Sequence, residues 1–331
     1  MPAAGISIDD HAVHLMTFKR RNGALRPDAY GTYPLPKGVV ERGIVLDQKS
    51  LTNLLLSLRK EHKLTFVRSA VPELQSYLFG ATVPLLSPEQ TRENVAFSLD
   101  EHVPISAAEA VFDYIAVPTL AKSVRTGATR GTNELIVSAL PKKIFDGYYG
   151  SIVGAGLTPL SLEQESEAVT RALIRPRDIS TIMIVDISPS RTVLSIVSYG
   201  IVRFATTIDI GGEAMNALLA KRFSIAEAEL RELKQTEGVT QTTKGKEVTS
   251  TLVGILSALR DEINKRFVYW NSHQSEEEGS TLPLISRVVL AGEEASLKGL
   301  GDYLSTSLRV PVELGNVWAN CFSFDDYVPP V

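Results

Sequence analysis

The chain is poor in the residue types that most readily point to a function. One of its 331 residues, Cys321, is cysteine, so no internal disulfide can form and no cysteine-rich zinc site can be built. The cytoplasm is the simplest expected address. Five histidines are scattered along the chain. His11 and His14 fall on a predicted strand at a spacing that points them to opposite faces, which argues against a metal site there. No apolar run approaches the ~20 residues a membrane helix needs, and Met1–Lys19 lacks the basic start and apolar stretch of a secretion signal. An excess of positive charge is missing too. The 34 Lys and Arg stand against 38 Asp and Glu, a formal charge of −4, so no general field exists to hold nucleic acid or anionic lipid. Walker sequences, Gly-x-Ser-x-Gly elbows and zinc-protease helices are absent. What remains, 44% apolar and 22% charged, is a globular chain long enough for two domains.

Local patterns then divide the chain. Gly5–Phe18 reads as strand, polar turn at Asp9-Asp10-His11, strand. Asp47 can cap a helix through Leu51, Leu54, Leu55 and Leu58, after which Leu64–Val71 returns to strand. Ser87-Pro88-Glu89-Gln90 is a capping box with proline at the first helical position. Val111–Val117 and Glu134–Leu140 read as strands around a basic loop, Lys122–Arg130, which is a solvated hairpin tip. Pro141 opens a further helix, on which Tyr148, Tyr149 and Ile152 are expected to be core residues rather than partner anchors. Ser161 with Gln164, and Ser224 with Glu227, suggest two more capping boxes, the second for a helix ending near Gly238. Ile182–Ile187 is apolar enough for a doubly covered central strand. Strands follow at Thr192–Val197 and Ile201–Ile210, then one long helix stepping from Val248 to Trp270. An acidic loop at Ser275–Gly279, a strand at Val288–Ala291, a helix near Leu297–Leu308 and a strand at Val310–Leu314 complete the pattern.

One repeat stands out. Ser7-Ile8-Asp9-Asp10-His11-Ala12-Val13 lies on Asp186-Ile187-Ser188-Pro189-Ser190-Arg191-Thr192, each a strand, a tight polar turn and a strand. Together with Ile208-Asp209-Ile210-Gly211-Gly212-Glu213 and Leu290-Ala291-Gly292-Glu293-Glu294-Ala295, the second copy resembles the second phosphate turn, the following Gly-Gly and the adenosine segment of the PilM family, actin-like pilus-assembly proteins related to FtsA. Phe97-Ser98-Leu99-Asp100-Glu101, Phe112-Asp113-Tyr114 and Gly154-Ala155-Gly156-Leu157 resemble that family's inserted 1C subdomain, and Glu262-Ile263-Asn264-Lys265-Arg266 its long helix. The resemblance spans nearly the whole chain. It implies an α/β, actin-like fold of the duplicated ribonuclease H-like kind, two α/β halves around a cleft with a small α+β subdomain inserted in the first. The expected division is 1–68 for the start of the first half, 69–160 for the insertion, 161–180 for a connecting helix, 181–314 for the second half and 315–331 for a return to the first.

The resemblance also implies a nucleotide cleft built on Ser7, Asp9, Asp10, Asp186, Ser188, Ser190, Thr192, Gly211, Gly212, Lys234, Gly292 and Glu293. Departures from the family pattern weaken it. Its first turn reads Gly-Ile-Asp-Ile-Gly, whereas here Ser7 replaces the aspartate and Asp9 the second glycine, placing a carboxylate where phosphate would approach. Ser188 replaces a glycine and Pro189 removes a donor N–H. Glu293 replaces a glycine beside the base. Lys234 matches a ribose-side lysine, but Arg231 stands where a glutamate is expected. Two such anionic intrusions turn micromolar affinity into effectively none, so no cofactor, or only weak ATP/Mg²⁺ binding, is expected. No catalytic residue can be named.

What the resemblance implies for function is a cytoplasmic adaptor, a pseudo-ATPase held at the inner face of the cytoplasmic membrane by a protein partner. That partner is the N-terminal tail of a PilN-like inner-membrane protein, bound in a groove between the first half and the insertion, with the assembly motor ATPase as a further partner. Nucleic acid and direct membrane insertion are not expected. A sugar-kinase-like enzyme would need an intact phosphate cradle and a placed base, and an FtsA-like filament tether would need an amphipathic anchor that Asp325–Val331 lacks. Either would require a functional ATP site.

Overall fold

The computed structural model describes residues 3–21, 24–117, 132–273, 283–323, 325 and 327–328. The basic loop at 122–130 and the acidic loop at 275–279 lie outside them. The described parts of Met1–Pro118, Thr129–Pro176 and Val317–Val331 cluster as one compact unit, and those of Arg177–Asn316 as another.

In unit 1, β1 (Ala4–Ile8), β2 (Ala12–Arg21) and β3 (Ala24–Pro34) form an antiparallel meander. A small hairpin of β4 (Val40–Glu41) and β5 (Ile44–Val45) leads to α1 (Gln48–His62). Asp47 caps α1 by accepting the Ser50 N–H at 3.0 Å, and Leu51, Leu55 and Leu58 are buried as their spacing predicts. β6 (Phe66–Val71) runs parallel to β1. The chain then builds β7 (Tyr77–Pro84), α2 (Pro88–His102) with the expected Ser87–Gln90 capping box, β8 (Ala110–Ala116) and β9 (Thr132–Pro141). α3 (Lys142–Gly154), β10 (Thr158–Gln164) and α4 (Glu165–Leu173) complete the unit. The large sheet has the order β10-β6-β1-β2-β3, and a separate small sheet the order β7-β9-β8.

The segment read as an insertion is shared between two cores. Val83, Val95, Leu99, Val103, Leu135 and Val137 pack with one another between α2 and the small sheet. Ile144, Tyr148 and Ile152 of α3 instead join Leu51, Leu55, Val67 and Ile6 in the core of the large sheet. Tyr148 and Ile152 are fully buried, in keeping with the core reading; Tyr149 is 42% exposed.

Unit 2 repeats the topology. β11 (Thr181–Ile187), β12 (Thr192–Ser198) and β13 (Ile201–Ile208) form the meander. α5 (Gly212–Phe223), α6 (Glu227–Thr236) and α7 (Thr243–His273) precede β14 (Ile285–Ala291), a 3₁₀ turn at Glu293–Ser296, α8 (Leu300–Leu308) and β15 (Val312–Leu314). Its sheet order, β13-β12-β11-β14-β15, maps strand for strand onto β3-β2-β1-β6-β10, with the meander antiparallel and the last two strands parallel in both. The alignment of the repeat holds in register. Ile8 pairs with Val13 and Ile187 with Thr192, and each pair encloses a four-residue turn closed by a backbone bond, Asp9 N–H to Ala12 at 3.1 Å and Ser188 N–H to Arg191 at 2.9 Å.

Two capping expectations are overturned. Residues 158–164 form β10 rather than a helix start, because the open edge of β6 takes them as a parallel partner; α4 begins later, with the Gln164 N–H donating to Glu167 at 3.3 Å. Ser224 does not start α6 either. It sits at φ +55° as the residue that closes α5, and Glu229 accepts the Ala226 N–H at 2.9 Å to start the next helix.

Candidate functional site

The first turn fills its own centre. Ser7 is half-buried on β1 opposite His14. Asp9 Oδ1 accepts the N–H groups of His11 at 2.7 Å and Ala12 at 2.8 Å, while Oδ2 meets His14 Nε2 at 2.8 Å. Burial works to raise the carboxyl's pKa, but the His14 hydrogen bond and the two backbone donors outweigh it and hold the pKa below the usual aspartate value. The carboxylate therefore takes the turn's N–H groups itself. Asp10 faces elsewhere: it accepts the N–H groups of Arg42 and Gly43, both at 3.0 Å, and braces the β4–β5 hairpin.

In unit 2, Asp186 is the penultimate residue of β11, Ser188 and Ser190 are half-buried in the following turn, and Thr192 donates to the Ile210 carbonyl at 2.7 Å. The turn and the start of α5 hold one another. A Cβ on Gly211 would lie 2.4 Å from the Arg191 nitrogen and the Pro189 oxygen, so only glycine permits this approach. The Gly212 N–H donates to Ser188 at 3.1 Å and the Glu213 N–H to Pro189 at 2.8 Å. Gly292, at φ +85°, is equally constrained, since a Cβ there would lie 2.4 Å from Asp186 Oδ1. Glu293 turns outward and pairs with Arg231 at 3.3 Å.

Lys234 is brought into this group by a residue that sequence reasoning missed. Its Nζ donates to both oxygens of Glu294, at 2.6 and 2.8 Å, and to Asn216 Oδ1 at 2.8 Å. The two charged side chains are 9% and 3% exposed. Glu294 Oε1 lies 2.3 Å from where a Cβ on Gly212 would be. The available signal was a second acidic residue immediately after Glu293, in a segment where the family resemblance calls for small residues. Beside the pair opens a pocket of about 420 Å³ lined by Lys234 itself together with Asn216, Glu227, Arg231 and Glu293.

The other feature is a groove within unit 1, of about 540 Å³. β8 is an outer strand of the small sheet and β10 an outer strand of the large one, and both line it. Phe112, Tyr114 and Ile115 contribute from β8, Leu160 and Leu162 from β10, and Phe145 and Tyr149 from α3. Ile115 and Leu160 are about half exposed, at 47% and 51%. Polar groups occupy its ends. Arg92 stacks over Phe112, 4.6 Å from the ring centre. Glu163 is bound to Arg171. Glu167 accepts from the Ser138 hydroxyl at 3.1 Å, and its pKa is raised, chiefly by burial.

Among the described residues there is no helix long and apolar enough to cross a membrane, and no group of three or more His, Cys, Asp or Glu that could hold a metal ion. His14 is held by Asp9 and by Thr32, 3.1 Å away.

A family model described as type IV pilus assembly protein PilM matches residues 5–328. Among solved structures, the chain resembles one from a PilM–PilN type IV pilus biogenesis complex, with a TM-score of 0.75 at 20% identity over 99% of this chain and 92% of that one. The ethanolamine utilization protein EutJ from Carboxydothermus hydrogenoformans gives 0.54 at 15% identity, covering 95% and 84%. MreB5 of Spiroplasma citri bound to ADP gives 0.54 at 13%, covering 96% and 93%. The fold is actin-like.

Proposed function

The chain belongs to the family of type IV pilus assembly protein PilM, and from that premise we propose that it is an adaptor whose unit 1 groove takes the N-terminal cytoplasmic tail of a PilN-like inner-membrane protein. The groove carries the reading. Outer strands are normally shielded because their unpaired N–H and C=O groups invite another strand. Here two of them, β8 and β10, line one apolar groove. An extended peptide can pair with such an edge while alternate side chains enter apolar pockets. A relative is solved in a complex titled PilM–PilN, which supports the same partner class.

Such a tail is disordered when free, so ordering it offsets part of the contact energy and the expected dissociation constant is on the order of micromolar. The adaptor sits at the inner face of the membrane because its partner is anchored there, and it relays that partner to the assembly motor. ATP is not required, since the nucleotide turns are degenerate and the protein acts as a pseudo-ATPase. The test is calorimetric titration of candidate tail peptides into the full chain and into Leu160→Asp. Saturable binding that Leu160→Asp removes, in a protein with an unchanged melting temperature, is the expected result. Equal binding by both proteins would take the groove out of the site, and no binding by several tails would overturn the adaptor reading.

A further inference from the structure

We propose that unit 2 fills its own anion-binding position from within, with the Glu294 carboxylate on Lys234 standing in for an external anion, and that in unit 1, taken by itself, Asp9 does the same for its own turn. The inference concerns what the altered turns have gained, and it is independent of the groove.

The start of α5 is the kind of place where an anion binds, with the helix dipole directed at it and a glycine allowing close approach. Lys234 supplies a cation there. Glu294 already uses these features: its carboxylate is held on Nζ at 2.6 and 2.8 Å, and it packs so tightly on Gly212 that a Cβ could not be added. The pair is nearly sealed from water, so a phosphate or sugar in the pocket that Lys234 helps to line would have to compete with a carboxylate already held on Nζ, and displacing it would leave a buried charge unpaired. The neighbouring donors are engaged as well. The Gly212 and Glu213 N–H groups go to the carbonyls of Ser188 and Pro189, and Pro189 has no N–H to offer. In unit 1 the N–H groups of His11 and Ala12 are taken by Asp9. The nucleotide and Mg²⁺ that the fold implies therefore do not fit the residues present: in unit 1 a carboxylate takes the turn's N–H groups, and in unit 2 backbone carbonyls take them while a carboxylate takes the lysine.

Removing an internal anion should open its place to an external one. The experiment measures melting temperature and calorimetric binding with Mg·ATP and with inorganic pyrophosphate, for the full chain, Glu294→Ala, and Lys234→Met/Glu294→Ala. The unaltered protein should show no saturable binding of either probe at millimolar concentration and no thermal shift. Glu294→Ala should melt several degrees lower and recover about 2–3 °C with millimolar pyrophosphate, whereas the double variant should recover nothing. Should Glu294→Ala fail to fold, Glu294→Gln, which keeps the shape and loses the charge, takes its place. Tight binding of Mg·ATP by the unaltered chain, with a dissociation constant below about 10 µM, would overturn the proposal. So would a Glu294 variant that melts normally and ignores the anion.

Discussion

Two regions of this molecule treat their polar groups in opposite ways. Around Lys234 the charges are largely paired within the chain: Nζ meets Glu294 and Asn216, and Glu293 meets Arg231. The unit 1 groove instead leaves strand edges without a neighbouring strand, and elsewhere in unit 1 an acid is buried without a cation. Glu73, 5% exposed between β6 and β7, accepts the Ser166 N–H at 3.1 Å, and its pKa is raised from 4.5 to about 7, chiefly by burial. Hydrogen-bonding potential met inside the chain marks a site that has closed. Potential left unmet, next to exposed apolar side chains, marks one that awaits a partner.

The largest effect that would sharpen this contrast lies in the closed region. Lys234→Met alone leaves the Glu294 carboxylate buried without its cation and is expected to cost about 3–5 kcal/mol. Lys234→Met/Glu294→Leu removes both charges and should recover most of that loss, because a well-packed apolar pair is often as stable as a buried ion pair. Urea unfolding of the three proteins measures it. If the single substitution proved harmless, the pair would not be holding the site shut.

The next effect, in unit 1, depends on pH. Below about pH 4.5 Glu73 is protonated in the folded and unfolded chain alike and makes no difference. Between 4.5 and about 7 the unfolded chain releases the proton and the folded one keeps it, so stability falls as pH rises. Above 7 the loss is complete, at about 3 kcal/mol. Glu73→Gln keeps an acceptor for Ser166 and has no proton to lose. It should match the unaltered chain near pH 4 and exceed it by ~2–3 kcal/mol at pH 8. A parallel pH dependence in both proteins would show that Glu73 is paired after all, and would weaken the contrast between the regions.

Smaller effects are expected on the open surface. Tyr149→Ala and Ile115→Ala each remove a partly exposed apolar side chain from the groove. Each should lower tail-peptide affinity about tenfold, or 1.4 kcal/mol, with little change in melting temperature. An equivalent pair on the far side of α7, Val253→Ala and Val268→Ala, is the control, since both residues are exposed and lie outside the groove.

The sequence carried the closed region better than the open one. The two turns, the duplicated strand order and the special glycines at 211 and 292 are legible because tight turns and close backbone approaches admit few residue types. Lys234 could be singled out, but its partner could not. Glu294 lies 60 positions away, and only the fold brings the two side chains together. The groove was legible as an expectation drawn from family resemblance, and of its walls β8 and α3 were read as strand and helix. β10 was hidden behind a Ser161–Gln164 spacing that imitates a helix start. An outer parallel strand is specified by the edge it joins, here β6, more than by its own sequence.

Asp9 offers the smallest and most discriminating comparison, because it is a carboxylate of unit 1 that behaves like those of the closed region. Two backbone donors and His14 hold it ionised, against the opposing effect of burial. Its pKa in the folded chain lies below the unfolded value of 3.8, so its stabilisation is fully present above that pH and disappears as pH falls through the folded pKa. Asp9→Asn retains an oxygen for the His11 and Ala12 N–H groups but gives up the charge that strengthens those bonds, and its amide competes poorly for His14. The expected cost is about 1 kcal/mol at pH 7, shrinking as pH falls below 3.8 and through the lower folded value. Urea unfolding of both proteins at neutral pH and in acid reads the difference directly. A loss that persists in acid would mean that Asp9 acts through the shape of the turn rather than as an internal anion, and the first cradle would then be open to phosphate.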